Sequence, residues 1–185
     1  MAERAEQVFR LDNEVLAFRF AATLSHRAGA EPFERLTTPE RLHLWLDAAD
    51  LPPAQPVDDF QLAAALTLRE AIYLLGAAIA SGITRPTEAV TVLNAATRHG
   101  LPAAVLTDEG WRWNLSRNRP VEDALAVIAA DAITAFGASD SNRIKTCEGT
   151  DCSGLYLDTS RGNNRRWCSM NTCGNKAKKS RMNPH

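Results

Sequence analysis

Cysteine is missing from the first 146 residues of this 185-residue chain, and lysine from the first 144. A front part without thiols holds neither a disulfide framework nor a thiolate metal site, so any such chemistry belongs to the end. No Gly-rich phosphate loop, nucleophile elbow or paired-carboxylate signature occurs, and enzymatic activity has no positive support. No apolar run approaches the ~18 residues that a membrane span needs. The opening Met-Ala-Glu-Arg-Ala-Glu-Gln lacks the basic-then-apolar layout of a secretory signal. Both absences lead to the expectation of a cytoplasmic protein with no membrane partner. Internal repeats and low-complexity tracts are also absent.

Apolar residues make up 45% of the chain, enough for a globular core. The net charge of −1 conceals an asymmetry. Residues 1–140 carry 12 Arg against 19 acids, a charge of −7. Residues 141–185 carry nine basic residues against three acids, a charge of +6. An acidic body with a basic end suggests that the end meets a polyanion, the alternative being a solvated basic surface with no partner.

Residues 1–140 read as a mainly helical domain with one β-hairpin. Helical segments are expected over 15–26, from Pro39, over 58–81, from Pro86 and from Pro120. Thr38 can cap the second, with Pro39 in its first turn. Phe60, Ala64, Leu68, Ile72, Leu75 and Ile79 form a stripe that marks the third as the central helix. The apolar period becomes two between Ala103 and Leu115, around a turn at Asp108-Glu109-Gly110. Trp111, Trp113 and Leu115 then share a face, expected to lie on the helices. Arg69, beside Glu70, reads as a buried Arg paired with a carboxylate. His26, His43 and His99 lack metal-ligand spacing. Residues 137–142 read as a linker.

Residues 141–185 read as a small treble-clef-like zinc finger. The spacing Cys147-x4-Cys152-x15-Cys168-x4-Cys173 gives two close pairs, the layout of a four-thiolate Zn2+ site. Leu155-Tyr156-Leu157 is a strand candidate, Arg161-Gly162-Asn163-Asn164 a turn, and Arg165-Arg166-Trp167 the returning strand. Ser169 can cap a helix that holds Cys173 and runs to about Met182, and Trp167 reads as the module's core plug. So few apolar residues cannot fold the segment alone. Structural zinc contributes on the order of 10–16 kcal/mol of apparent binding free energy, which becomes folding free energy. Two disulfides would need an oxidising compartment, and an iron–sulfur cluster could also use four thiolates. A catalytic zinc is disfavoured, because four thiolates leave no position for water.

Arg165-Arg166-Trp167-Cys168-Ser169-Met170, followed by Cys173-Gly174-Asn175-Lys176, resembles the CGNR zinc-finger family of bacteria. Val15-Leu16-Ala17-Phe18-Arg19-Phe20-Ala21-Ala22-Thr23, Leu36-Thr37-Thr38-Pro39-Glu40 and Leu68-Arg69-Glu70-Ala71-Ile72-Tyr73 resemble the ABATE domain that usually precedes that finger. The resemblance spans nearly the whole chain and implies a stress-induced transcriptional regulator whose finger binds DNA. This chain departs from the pattern at Lys176, where the family has Arg, and at Arg19 and Ala22, where it usually has Asp and Asn. Lys keeps the charge of Arg without its planar fork.

The cations for phosphate contact are Arg165, Arg166, Lys176, Lys178, Lys179 and Arg181, with Asn175 and Arg181 as candidates for reading base edges. The expected function is a zinc-binding, DNA-associated regulator whose helical body forms a homodimer or senses a small molecule. One rival reading is a protein-interaction module with a structural finger. Another is a ligand carrier or enzyme with a pocket in the body.

Overall fold

The structure, a computed structural model, describes residues 8–182, without the side chains of residues 180–182. The front part holds the helices α1 (Leu16–Ala21), α2 (Pro39–Ala48), α3 (Asp59–Ala80), α4 (Thr87–Thr97) and α5 (Pro120–Gly137). Two antiparallel ribbons interrupt them, β1 (Leu24–Ser25) with β2 (Phe33–Glu34), and β3 (Ala103–Thr107) with β4 (Gly110–Asn114). A 3-10 turn at Ser141–Arg143 leads into β5 (Ile144–Thr146), paired with β6 (Leu155–Leu157). A wide π-helical turn, Met170–Gly174, then opens α6 (Asn175–Met182).

Local chemistry fixes the main boundaries. Thr38 Oγ1 accepts from Arg41 N, and Pro39 stands in the first turn of α2. Asp58 and Gln61 form a reciprocal capping box at the start of α3, with Gln61 N donating to Asp58 Oδ1 at 2.7 Å. Pro120 begins α5, whose Asp123 carboxylate accepts the Ser116 amide at 2.7 Å.

α3 is the hub, touched by α1, α2, α4, α5 and both strands of the last ribbon. It is long and apolar enough to cross a membrane. In this fold, however, its middle carries the ion-paired Arg69 and Glu70 while Leu68, Ile72 and Leu75 are buried in the core. Phe18, Phe20, Trp45, Leu46 and Ile128 complete that core, with the Phe20 and Trp45 rings 4.9 Å apart. Ile144 of β5 and Leu155 of β6 belong to the same apolar cluster, so the cysteine-bearing segment shares the body's core. Gly76 makes this approach possible, since a Cβ there would lie 2.5 Å from Leu155 Cδ1.

Arg69 is buried and pairs with carboxylates as expected. Its fork grips Glu34 at 2.6 and 2.7 Å, and its Nε donates to Glu70 at 2.8 Å. Burial alone would lower its pKa, but Glu34 and Glu70 hold it above the ordinary value. Arg27 adds a second fork to Glu70 at 2.8 and 3.1 Å, stapling the β1–β2 ribbon to α3.

Several expectations need correction. The first helix ends at Ala21, and β1 follows in what was read as helix. Phe60 (81% exposed) and Ala64 lie off the core, because α3 rotates its buried face onto Ala65, Leu68, Ile72 and Leu75. Trp113 and Leu115 pack on the core, whereas Trp111 is 65% exposed because the ribbon projects past the helices. No strand forms at Arg165-Arg166-Trp167, since β6 pairs with β5. Ser169 precedes the π-turn but makes no side-chain cap.

Candidate metal centre

Cys147 follows β5 and Cys152 precedes β6, so the first pair sits in the connection of a hairpin. The knuckle closes through Cys147 N to Gly154 O and Cys152 N to Gly149 O, both 2.9 Å. Ser153 adopts a left-handed φ of 48°, turning the chain back into β6. A side chain at Gly149 would crowd the Cβ atoms of Cys152 at 3.2 Å and Cys173 at 3.3 Å. Cys168 lies just before the π-turn and Cys173 within it, presenting the second pair to the first.

The four Sγ atoms lie within 4.8 Å of one another. Cys168 Sγ is 3.7 Å from that of Cys152 and 3.8 Å from that of Cys173. A tetrahedron with metal–sulfur bonds of about 2.3 Å has edges of about 3.8 Å, so the cluster fits a four-coordinate metal ion. Cys147 and Cys168 are buried, Cys152 and Cys173 half-buried. All four are free of disulfides.

Donors surround the sulfurs. Cys147 Sγ accepts from Cys168 N at 3.3 Å and Gly149 N at 3.5 Å. Arg10, remote in sequence, donates from Nη2 to Cys168 Sγ at 3.6 Å and to Thr172 Oγ1 at 3.1 Å. Four thiolates around a divalent ion carry a net −2, and Arg10 offsets part of it. Burial acts to lower the Arg10 pKa, yet Cys168 beside it holds the guanidinium above its ordinary range. Asn13 Nδ2 donates to Leu155 O at 2.9 Å, so the segment before α1 lies against the finger.

Asp158 organises the loop between β6 and Cys168. Its wholly covered carboxylate accepts from Lys145 Nζ at 2.6 Å, Ser160 N at 2.9 Å, Ser160 Oγ at 2.5 Å and Arg165 N at 2.9 Å. Burial pushes its pKa up, but these donors outweigh it and hold the carboxyl well below the usual range. Half-buried Trp167 packs with Cys147, Tyr156 and Cys168 as the plug of this small core.

The expected DNA-contacting residues divide in two. Arg165 is half-buried over the Tyr156 ring and donates to the Trp167 and Cys168 carbonyls, so it braces the finger. Arg166, Asn175, Lys176, Lys178 and Lys179 are exposed. Arg166 Nε pairs with Glu148 at 2.6 Å, Lys176 Nζ with Asp151 at 3.1 Å, and Asn175 Nδ2 donates to Asn171 O. Arg181 lies on α6, but its side chain is outside the described residues. Arg19 lines a cleft of about 780 Å³ with Trp111, Trp113 and Asp131. Ala22 borders a void of about 20 Å³ beside Asn13, Leu155 and Cys168. Sequence reasoning missed Arg10, Asn13 and Asp158. Only Asp158, followed at once by Thr159 and Ser160, carried a local turn signal.

A family model for ABATE, described as "Putative stress-induced transcription regulator", matches residues 14–139. A second, described as CGNR zinc finger, matches residues 143–183. No curated protein matches the chain.

Proposed function

Because the chain belongs to the ABATE family and ends in a CGNR zinc finger, we propose that it is a cytoplasmic, zinc-binding transcriptional regulator whose finger contacts DNA. Zinc suits a closed site of four thiolates, and such a site has no position for a substrate, so the metal is structural. The observation that carries the DNA reading is the exposed basic helix α6, mounted directly on the metal-bearing turn. Phosphate contact needs cations on an ordered support, and Lys178 and Lys179 with Arg166, Lys176 and Arg181 supply them. Arg165 is left out of this set. The helical body acts in this reading as dimerising or ligand-sensing part, and the cleft at Arg19 supports the latter.

If about four cations touch phosphates, log affinity for duplex DNA falls with log salt at a slope of about −3.6. Replacing both Lys178 and Lys179 with Ala flattens that slope by about 1.8 and leaves the zinc content unchanged. Salt-titrated fluorescence anisotropy on a labelled duplex measures both. A full-length, zinc-loaded protein with no duplex affinity at low salt would leave the finger as a protein-docking module.

A further inference from the structure

A concavity of about 240 Å³ opens onto the four-sulfur centre, where the knuckle between β5 and β6 faces the π-turn. Cys152 and Cys173, both half-buried, line it, while Cys147 and Cys168 are buried and stand outside the lining. Gly149 keeps the approach open, since a Cβ there would lie 3.4 Å from Cys173 Sγ.

Arg10 and Thr172 stand in the same wall as Cys173. Thr172 Oγ1 donates to Cys173 Sγ at 3.9 Å and accepts from Arg10 Nη2 at 3.1 Å. The same Nη2 reaches Cys168 Sγ at 3.6 Å, and Cys168 Sγ is 3.8 Å from that of Cys173. An accessible sulfur, two donors beside it and a covered second sulfur within reach are the set that thiol oxidation needs.

We propose that Cys173 is a site of oxidation by hydrogen peroxide, with Cys168 as the sulfur that resolves it. The proposal rests on the reading of the four cysteines as a metal site. Metal binding keeps the sulfur as a thiolate, the nucleophilic form, and attack at sulfur needs no free position on the metal. Cys173 Sγ attacks one peroxide oxygen, so that an S–O bond forms and the O–O bond breaks. The departing hydroxide takes a proton from solvent, and Arg10 and Thr172 are placed to donate to the charge growing on it. Cys168 Sγ then attacks the sulfenic sulfur. An S–S bond replaces the S–O bond, and a second hydroxide leaves to be protonated by solvent. The two sulfurs together lose the two electrons that the peroxide oxygens gain, and the metal, left with two thiolates, is released. Hydrogen peroxide is uncharged, so Glu148 and Asp151 in the lining do not repel it.

The test exposes full-length, zinc-loaded protein to hydrogen peroxide and follows metal release with a chromogenic chelator. Alkylation of the remaining thiols and trypsin cleavage then separate the two pairs, because Cys147 and Cys152 lie on peptide 146–161 and Cys168 and Cys173 on peptide 167–176. At the onset of release, peptide 167–176 is expected to be unalkylated and two hydrogens lighter, and peptide 146–161 doubly alkylated. Thr172 is exposed, so Thr172→Val removes the hydroxyl with little effect on folding. It slows peroxide-driven release about tenfold, the loss of one donor to a developing charge, while release to a chelator alone keeps the parent's rate. Arg10→Gln slows the peroxide step in the same way. A protein that keeps its metal in peroxide, a first disulfide that joins the two peptides, or a Thr172→Val variant as fast as its parent overturns the proposal. Metal analysis before oxidation decides the metal reading separately, and the peptide map reports on Cys173 in either case.

Discussion

Gly76 marks the place where the central helix and the finger touch. Leu155 Cδ1, Cδ2 and Cγ stand 2.5, 3.0 and 3.3 Å from where its Cβ would be, and Leu155 is itself buried. Gly76→Leu forces β6 away from α3 and is expected to cost about 3 kcal/mol, read as a lower urea midpoint. Asp158 is the second decisive residue. Its carboxyl is held well below its ordinary value, so the stability it contributes is complete above about pH 4 and drains as pH falls further. Asp158→Asn keeps the shape but loses the charge that binds Lys145. Its urea midpoint should lie below the parent's by a constant amount from about pH 8 to about pH 5, narrowing only under pH 4. A gap that closes near neutral pH would mean that another group holds the loop.

At the scale of elements, the ribbon β5–β6 serves two structures at once, placing Cys147 and Cys152 for the metal and Ile144 and Leu155 in the body's core. Cys168→Ser therefore does more than unfold a peripheral module. The variant should lose zinc and melt at a lower temperature throughout the helical signal. An unchanged melt of the α1–α5 signal would show that the ribbon holds its place without the metal. The helices were readable in the sequence because their caps and prolines are local, as at Thr38, Pro39 and Pro120. The convergence of the four cysteines was readable because their spacing is a chemical constraint. The pairing of β6 was not, because β5 lies before the knuckle and Asp158 diverts the chain after it. Two-residue strands such as β1 and β2 carry too little pattern to show a period.

The molecule as a whole is one acidic body and one basic end joined by a common core. A fragment of residues 141–185 would expose Ile144, Leu155 and Leu157 and lose the donors Arg10 and Asn13. We expect it to bind zinc yet give poorly dispersed amide spectra or associate, while the intact chain gives one well-resolved set. A well-dispersed monomeric fragment would mean that the shared core is dispensable.

The contact from Arg10 to Cys168 also orders events in time. The two residues are 158 positions apart, so at ordinary elongation rates Arg10 leaves the ribosome roughly 8–30 s before its partner. Through that interval α3 has no Leu155 beside Gly76, and the early segment has no sulfur to meet. The body cannot finish folding as it is made. Its last step waits for Cys168 and Cys173 to be made and for a metal ion, which would make metal supply a checkpoint on how much native protein accumulates.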